Sequence, residues 1–204
     1  MPYSSLASPL REKIIAYGQE YAVAEAALKT CEVESPQDGL AVPVLNEFRC
    51  AGSHLARSFA AADWQSAEKA VDDAIKHLRR ATYDAYDAAI SFLQEKCQEF
   101  ITDYQDIAIS PVLPSFIDDC RQLEAVKAEI EAEIRNDSRE LYAARKKAQL
   151  DKIKAILLNW RCARGELNKI KCDERKYYRR WFMGILVTIV VGVAVPVILA
   201  ITFR

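Results

Sequence analysis

Residues Trp181–Phe203 contain no charged side chain. As an α-helix at about 1.5 Å per residue this run spans roughly 34 Å, enough for a hydrocarbon layer about 30 Å thick. A membrane strand needs far fewer residues, and a buried core helix of this length needs a much larger protein around it. The run therefore reads as a single C-terminal transmembrane helix, 181–204. Pro196 is compatible with it, because a membrane helix tolerates proline where neighbours satisfy the freed carbonyl.

The flanks orient that helix. Residues 161–180 hold eight basic side chains against three acidic ones, and basic residues beside a span stay on the cytoplasmic side. Tyr177, Tyr178, Trp181 and Phe182 cluster at the same boundary, where amphipathic rings settle. Everything before residue 180 is thus expected in the cytoplasm, with the apolar segment as a tail anchor. Within the run, Gly184, Thr188, Gly192, Pro196 and Ala200 recur at four-residue spacing. Small residues on one stripe let membrane helices approach closely, so this face is the expected site of homo-oligomerisation.

Composition separates the remainder from the anchor. Residues 1–160 carry 19 basic and 26 acidic groups, an acidic head on a basic collar. General nucleic-acid binding, which needs a broad basic surface, is disfavoured; a small anionic ligand in a local basic pocket is not. The six cysteines are scattered, without a Cys-x-x-Cys pair, and only two histidines occur. Ordinary zinc spacing is absent, and no cofactor is expected.

The periodicities predict an all-α chain: a cytoplasmic helical bundle (1–106), a long helical stalk with a basic juxtamembrane collar (107–180), and the transmembrane anchor (181–204). Helix one is expected to open at Ser8-Pro9 and end near Thr30, with Leu10, Ile14, Tyr17, Tyr21, Ala24 and Leu28 on its apolar face. The segment Glu32–Gly39 reads as a loop. Helix two covers about Val42–Ala61, with Leu45, Phe48, Gly52, Leu55 and Phe59 as its buried stripe. Asp63 caps a third helix running to about Tyr104, along Ala67, Val71, Ala74, Leu78, Ala81, Ala85, Ala89, Phe92 and Phe100. After a break at Ile107–Pro114, Ser115 and Asp118 read as a capping box. An approximate heptad then runs from Phe116 to Ile170, interrupted at Asn136-Asp137-Ser138. This segment suits either an antiparallel hairpin or one long stalk. The lack of a Gly or Pro stop favours the stalk.

Two polar faces are candidates for chemistry. Asn46, Arg49 and Ser53 share a face of helix two, and the same helix holds His54. His77, Arg80 and Asp84 share a face of helix three at i, i+3, i+7 spacing. If the two helices pair antiparallel, these groups would supply hydrogen-bond donors to a phosphate or base, with Asp84 orienting an arginine. The same residues also suit an internal salt-bridge network, Arg49 or Arg80 with Asp84 or Glu47, that serves packing alone. Arg49-x4-His54 also matches the loose Arg-x4–6-His pattern of HEPN ribonucleases, although it lies earlier in the chain than in that family.

The run Asn46-Glu47-Phe48-Arg49-Cys50-Ala51-Gly52-Ser53-His54-Leu55, followed by His77-Leu78-Arg79-Arg80-Ala81-Thr82-Tyr83-Asp84-Ala85-Tyr86, resembles paired signatures of bacterial helical proteins associated with anti-phage defence. With the C-terminal apolar run, the layout is similar to that of membrane effectors of nucleotide-signalling defence systems, the family of the Hailong channel subunit. That resemblance implies a bacterial inner-membrane protein that is not an enzyme. Its head would receive a nucleotide or oligonucleotide signal, with a nucleotidyltransferase as partner, and its membrane helices would assemble into a pore. The alternative is a tail-anchored scaffold or adaptor without channel activity. A SNARE-type tether fits poorly, since Lys127 lies on the heptad seam.

Overall fold

The computed structural model describes the backbone of residues 8–35, 42–134 and 139–202 and the side chains of 9–35, 42–132 and 145–192. The described residues form five helices, in the order α1 (Ser8–Glu34), α2 (Val42–Ala60), α3 (Trp64–Asp103), α4 (Phe116–Ile134) and α5 (Arg139–Thr202), with no strand among them. The all-α expectation therefore holds. α1 runs one turn past its expected end near Thr30, so Glu32–Glu34 of the expected loop Glu32–Gly39 is helical; residues 36–39 and the Asn136-Asp137-Ser138 interruption lie outside the described residues.

α3 is the axis of the fold. Its N-cap is the expected one: Asp63 accepts hydrogen bonds from the Ser66 amide and hydroxyl, both at 2.8 Å, which supplies a partner to an amide the helix leaves open. The expected stripe from Ala67 to Phe100 is buried except for the half-buried Phe92. A second face is buried as well, through Tyr86, Ile90, Leu93 and Cys97, because α3 has neighbours on more than one side.

Its N-terminal half carries α1 and α2. Lys13 meets Asp72 at 2.7 Å and Arg79 meets Glu20 at 2.9 Å, so α1 runs parallel to α3. α2, joined to α3 by the short turn at Asp63, returns antiparallel. The buried face of α2 differs from the expected one. Val44, Ala51 and Ser58 are buried, whereas Leu45 and Phe59 are 54% and 69% exposed. The two stripes share Phe48 and Leu55 but diverge at their ends. The helix turns its smaller side chains inward because the α3 surface opposite is built on Ala74, Ala81 and Ala85, which brings the backbones close. Gly52, expected beneath another helix, has open space where a Cβ would stand.

The C-terminal half of α3 carries α4 and α5, and here the stalk expectation is overturned. Trp160 Nε1 donates to Asp119 Oδ2 at 2.9 Å, and Gln149 Nε2 to Glu129 Oε2 at 3.3 Å. The sequence separations of 41 and 20 residues shrink toward the turn, the signature of an antiparallel hairpin. The reason is burial. Leu123, Val126, Leu150, Ile153, Leu157 and Trp160 close over Ile90, Leu93, Cys97 and Phe100 of α3, apolar surface that a straight stalk would leave in water. The capping box is also revised: Ser115 donates to Asp119 at 3.0 Å, while Asp118 is exposed and pairs with Arg121.

α5 runs parallel to α3, from Lys146 beside Asp87 (2.6 Å) to Asn168, whose Oδ1 accepts from the Tyr104 hydroxyl at 2.7 Å. Past Lys171, whose ammonium caps the Asp103 carbonyl at the end of α3, α5 continues alone. Among the described residues, no helix is long and apolar enough to cross a membrane. The described side chains of the apolar run, Trp181–Gly192, cover about 18 Å of helix.

Candidate functional site

The polar groups that meet in the head lie between α2 and α3. His77 Nδ1 and Glu47 Oε2 are 2.7 Å apart, with both side chains less than a fifth exposed. A carboxylate only accepts, so Nδ1 carries the proton. The His54 ring stacks on His77, with centroids 5.1 Å apart and planes inclined by 26°. Two stacked imidazoles cannot both be protonated cheaply. The His54 pKa is accordingly held below its ordinary value by desolvation first, then by His77 and Arg57, against the opposing pull of Asp73.

Of the six residues expected to converge, His54 and His77 thus meet across the two helices. Asn46 and Arg49 are exposed on the outer face of α2, turned away from His77. Arg80 and Asp84 are half-buried on α3, and both are engaged in polar or electrostatic contacts rather than free. Glu47 is the residue the sequence reading placed only in a packing network. Its signal was its seven-residue spacing from His54, which puts both on one helical face. A carboxylate on His77 places negative charge where an incoming phosphate would have to sit. Arg49 is instead exposed on the outer side of α2, while Arg57, also exposed, lies one turn from His54. Arg49 and His54 therefore face different surroundings and do not form one cleft. Among the described residues, no group of three or more His, Cys, Asp or Glu side chains is placed to hold a metal ion.

A second constellation joins the hairpin to α3. Trp160, fully buried, packs its ring against Phe100 (5.0 Å) and Phe116 (5.1 Å). Phe100 in turn packs on Tyr104 (4.8 Å) and lies under the Arg164 guanidinium. Asp119, 8% exposed, gathers donors from Ser115, Asn159 and Trp160. Nearer the start of α5, the buried Lys146 ammonium bonds Asp87 and sits 4.7 Å from the Tyr83 ring centre. Beside these, Cys97 and Cys120 line a cavity of about 40 Å³ between α3 and α4. Burial pushes the Cys97 thiol up to about 11, so it behaves as a core side chain rather than as a nucleophile.

On the apolar run, Gly184 and Gly192 have open space where a Cβ would stand. Thr188 donates its hydroxyl to the Gly184 carbonyl at 2.9 Å. The near half of the small-residue stripe therefore touches nothing else among the described residues; the side chains of Pro196 and Ala200 lie outside them. No family of known proteins, no curated protein and no solved structure matches the chain.

Proposed function

We propose that this chain is an oligomeric, membrane-anchored helical effector of bacterial anti-phage defence, whose head responds to a nucleotide or oligonucleotide signal and whose C-terminal helix perturbs the inner membrane. The observation that carries the reading is the continuity of α5. One helix, Arg139–Thr202, is packed into the head through Trp160 and Leu167 and runs on into the uncharged segment. A change in the head is thereby coupled directly to that segment. On this reading residues 181–204 cross the membrane, the head lies in the cytoplasm, and the stripe from Gly184 to Ala200 packs copies around an axis. Arg49 and Asn46 are the groups that meet the signal on the outer face of α2. His54, His77 and Glu47 pass its effect to α3. A nucleotidyltransferase supplies the signal, and the chain itself performs no catalysis.

Deleting residues 181–204 tests the reading. The expected outcome is release of the head into the soluble fraction and loss of membrane depolarisation in activated cells. Depolarisation by the truncated chain would refute it. A tail-anchored adaptor is the second reading, favoured by the exposed Leu45 and Phe59 on α2. It predicts a membrane-bound chain and an intact membrane potential under all conditions.

A further inference from the structure

The two helical turns that leave the head carry a division by face. At 100° per residue, Arg175, Lys176, Arg179 and Arg180 fall within one half of the α5 circumference. Tyr177, Tyr178, Trp181 and Phe182 fall within the other half. All eight are exposed, the aromatic four by 58–66%. Lys176 is 3.2 Å from Asp173, whereas Arg175, Arg179 and Arg180 have no ion-pair partner among the described residues. Trp181 and Phe182 already belong to the uncharged run, which begins at Trp181.

We propose that residues 175–182 form an interfacial site for anionic phospholipid head groups. The basic half binds lipid phosphates and the aromatic half enters the layer just beneath them. This rests on the reading of α5 as a membrane anchor and adds the lipid class. Charge complementarity selects the occupant. Arginines take phosphate oxygens through paired donors, and each basic residue held at an anionic leaflet adds roughly fivefold to affinity. A nucleic acid would also meet the excess acidic charge of residues 1–160, and a soluble phosphate would leave four exposed rings in water. A lipid surface uses both halves at once, since rings of this kind settle at the membrane boundary.

The test uses the full chain in vesicles, in a Trp64→Phe background that leaves Trp181 as the exposed indole, because Trp160 is buried in the head. Quenching of Trp181 by brominated phosphatidylglycerol is compared with quenching by brominated phosphatidylcholine at equal mole fraction. The expected ratio is at least about twofold in favour of the anionic lipid. It should fall to about one in the Arg175→Gln/Arg179→Gln/Arg180→Gln variant, and persist when the same three become lysine. Equal quenching by both lipids, or a ratio unchanged in the glutamine variant, overturns the proposal while leaving the anchor reading intact. Loss of the ratio on adding inorganic phosphate at constant ionic strength overturns it in favour of a soluble anion. Quenching by neither lipid overturns the anchor reading and the proposal together.

Discussion

Replacing Trp160 with phenylalanine probes the contact that joins the hairpin to the rest of the head. The indole is fully buried, its N–H donates to Asp119 at 2.9 Å, and its ring fills the space between Phe100 and Phe116. Phenylalanine keeps the aromatic contact and removes the donor. A hydrogen bond to a charged acceptor is worth about 1.5–3 kcal/mol. The smaller ring leaves on the order of 40 Å³ empty, about 1 kcal/mol at the usual cavity cost. The expected destabilisation is therefore about 3 kcal/mol, a large share of the roughly 5–15 kcal/mol that holds a domain folded. Urea unfolding of the full chain in mild detergent, followed by far-ultraviolet circular dichroism, measures it. Asp119→Ala and the double variant complete a thermodynamic cycle. The coupling between the two positions should be at least about 1 kcal/mol. A cost under about 1 kcal/mol with no coupling would mean that Trp160 and Asp119 do not meet, and the antiparallel α4–α5 pairing would fall.

Two further outcomes follow from the titrating groups. The folded-state pKa of His54 lies below its ordinary 6.5, so near that pH the unfolded chain binds more protons than the folded one. Stability should be full above pH 6.5 and decline as pH falls through that value toward the depressed folded pKa; His54→Gln should flatten this slope, as read from unfolding midpoints across pH 7 to 5, and an unchanged slope would place the titration elsewhere. Cys97, raised to about 11 by burial, should resist iodoacetamide at pH 8 while the exposed Cys162 and Cys172 are alkylated. Mass spectrometry of the labelled peptides checks this, and comparable labelling of all three would contradict the packing of α3 against α4.

The helical pattern was largely readable from local chemistry. Asp63 announced the start of α3, and the alanine-rich stripe from Ala67 to Ala89 announced its buried face, because capping and periodicity act within a few residues. Two features depend on distant partners and escaped it. Ranking side chains by apolar size selects Leu45 and Phe59 for the inner face of α2, and the expectation of close helix approach adds Gly52. Close packing on Ala74, Ala81 and Ala85 selects Val44, Ala51 and Ser58 instead. The hairpin had one local sign, the Asn136-Asp137-Ser138 interruption, which the lack of a Gly or Pro stop outweighed; the deciding contact, Asp119 with Trp160, spans 41 residues. In the candidate site, the pairing of the helices carrying His54 and His77 was readable. The outward turn of Asn46 and Arg49 was not, because it follows from the same rotation of α2 that buries Val44.

The parallel course of α5 beside α3 has a mechanical consequence. Lys171 marks the last grip of the head on this helix, and the helix extends to Thr202. That projecting arm is about 46 Å long at the usual rise. A tilt of about 10° at its fulcrum on the end of α3 sweeps the far end sideways by about 8 Å, nearly the spacing between two packed helix axes. If copies pack along this helix, as proposed above, a rearrangement of side chains around Phe100 and Trp160 that is small on the scale of the core would become a displacement large enough to open or close the seam between them.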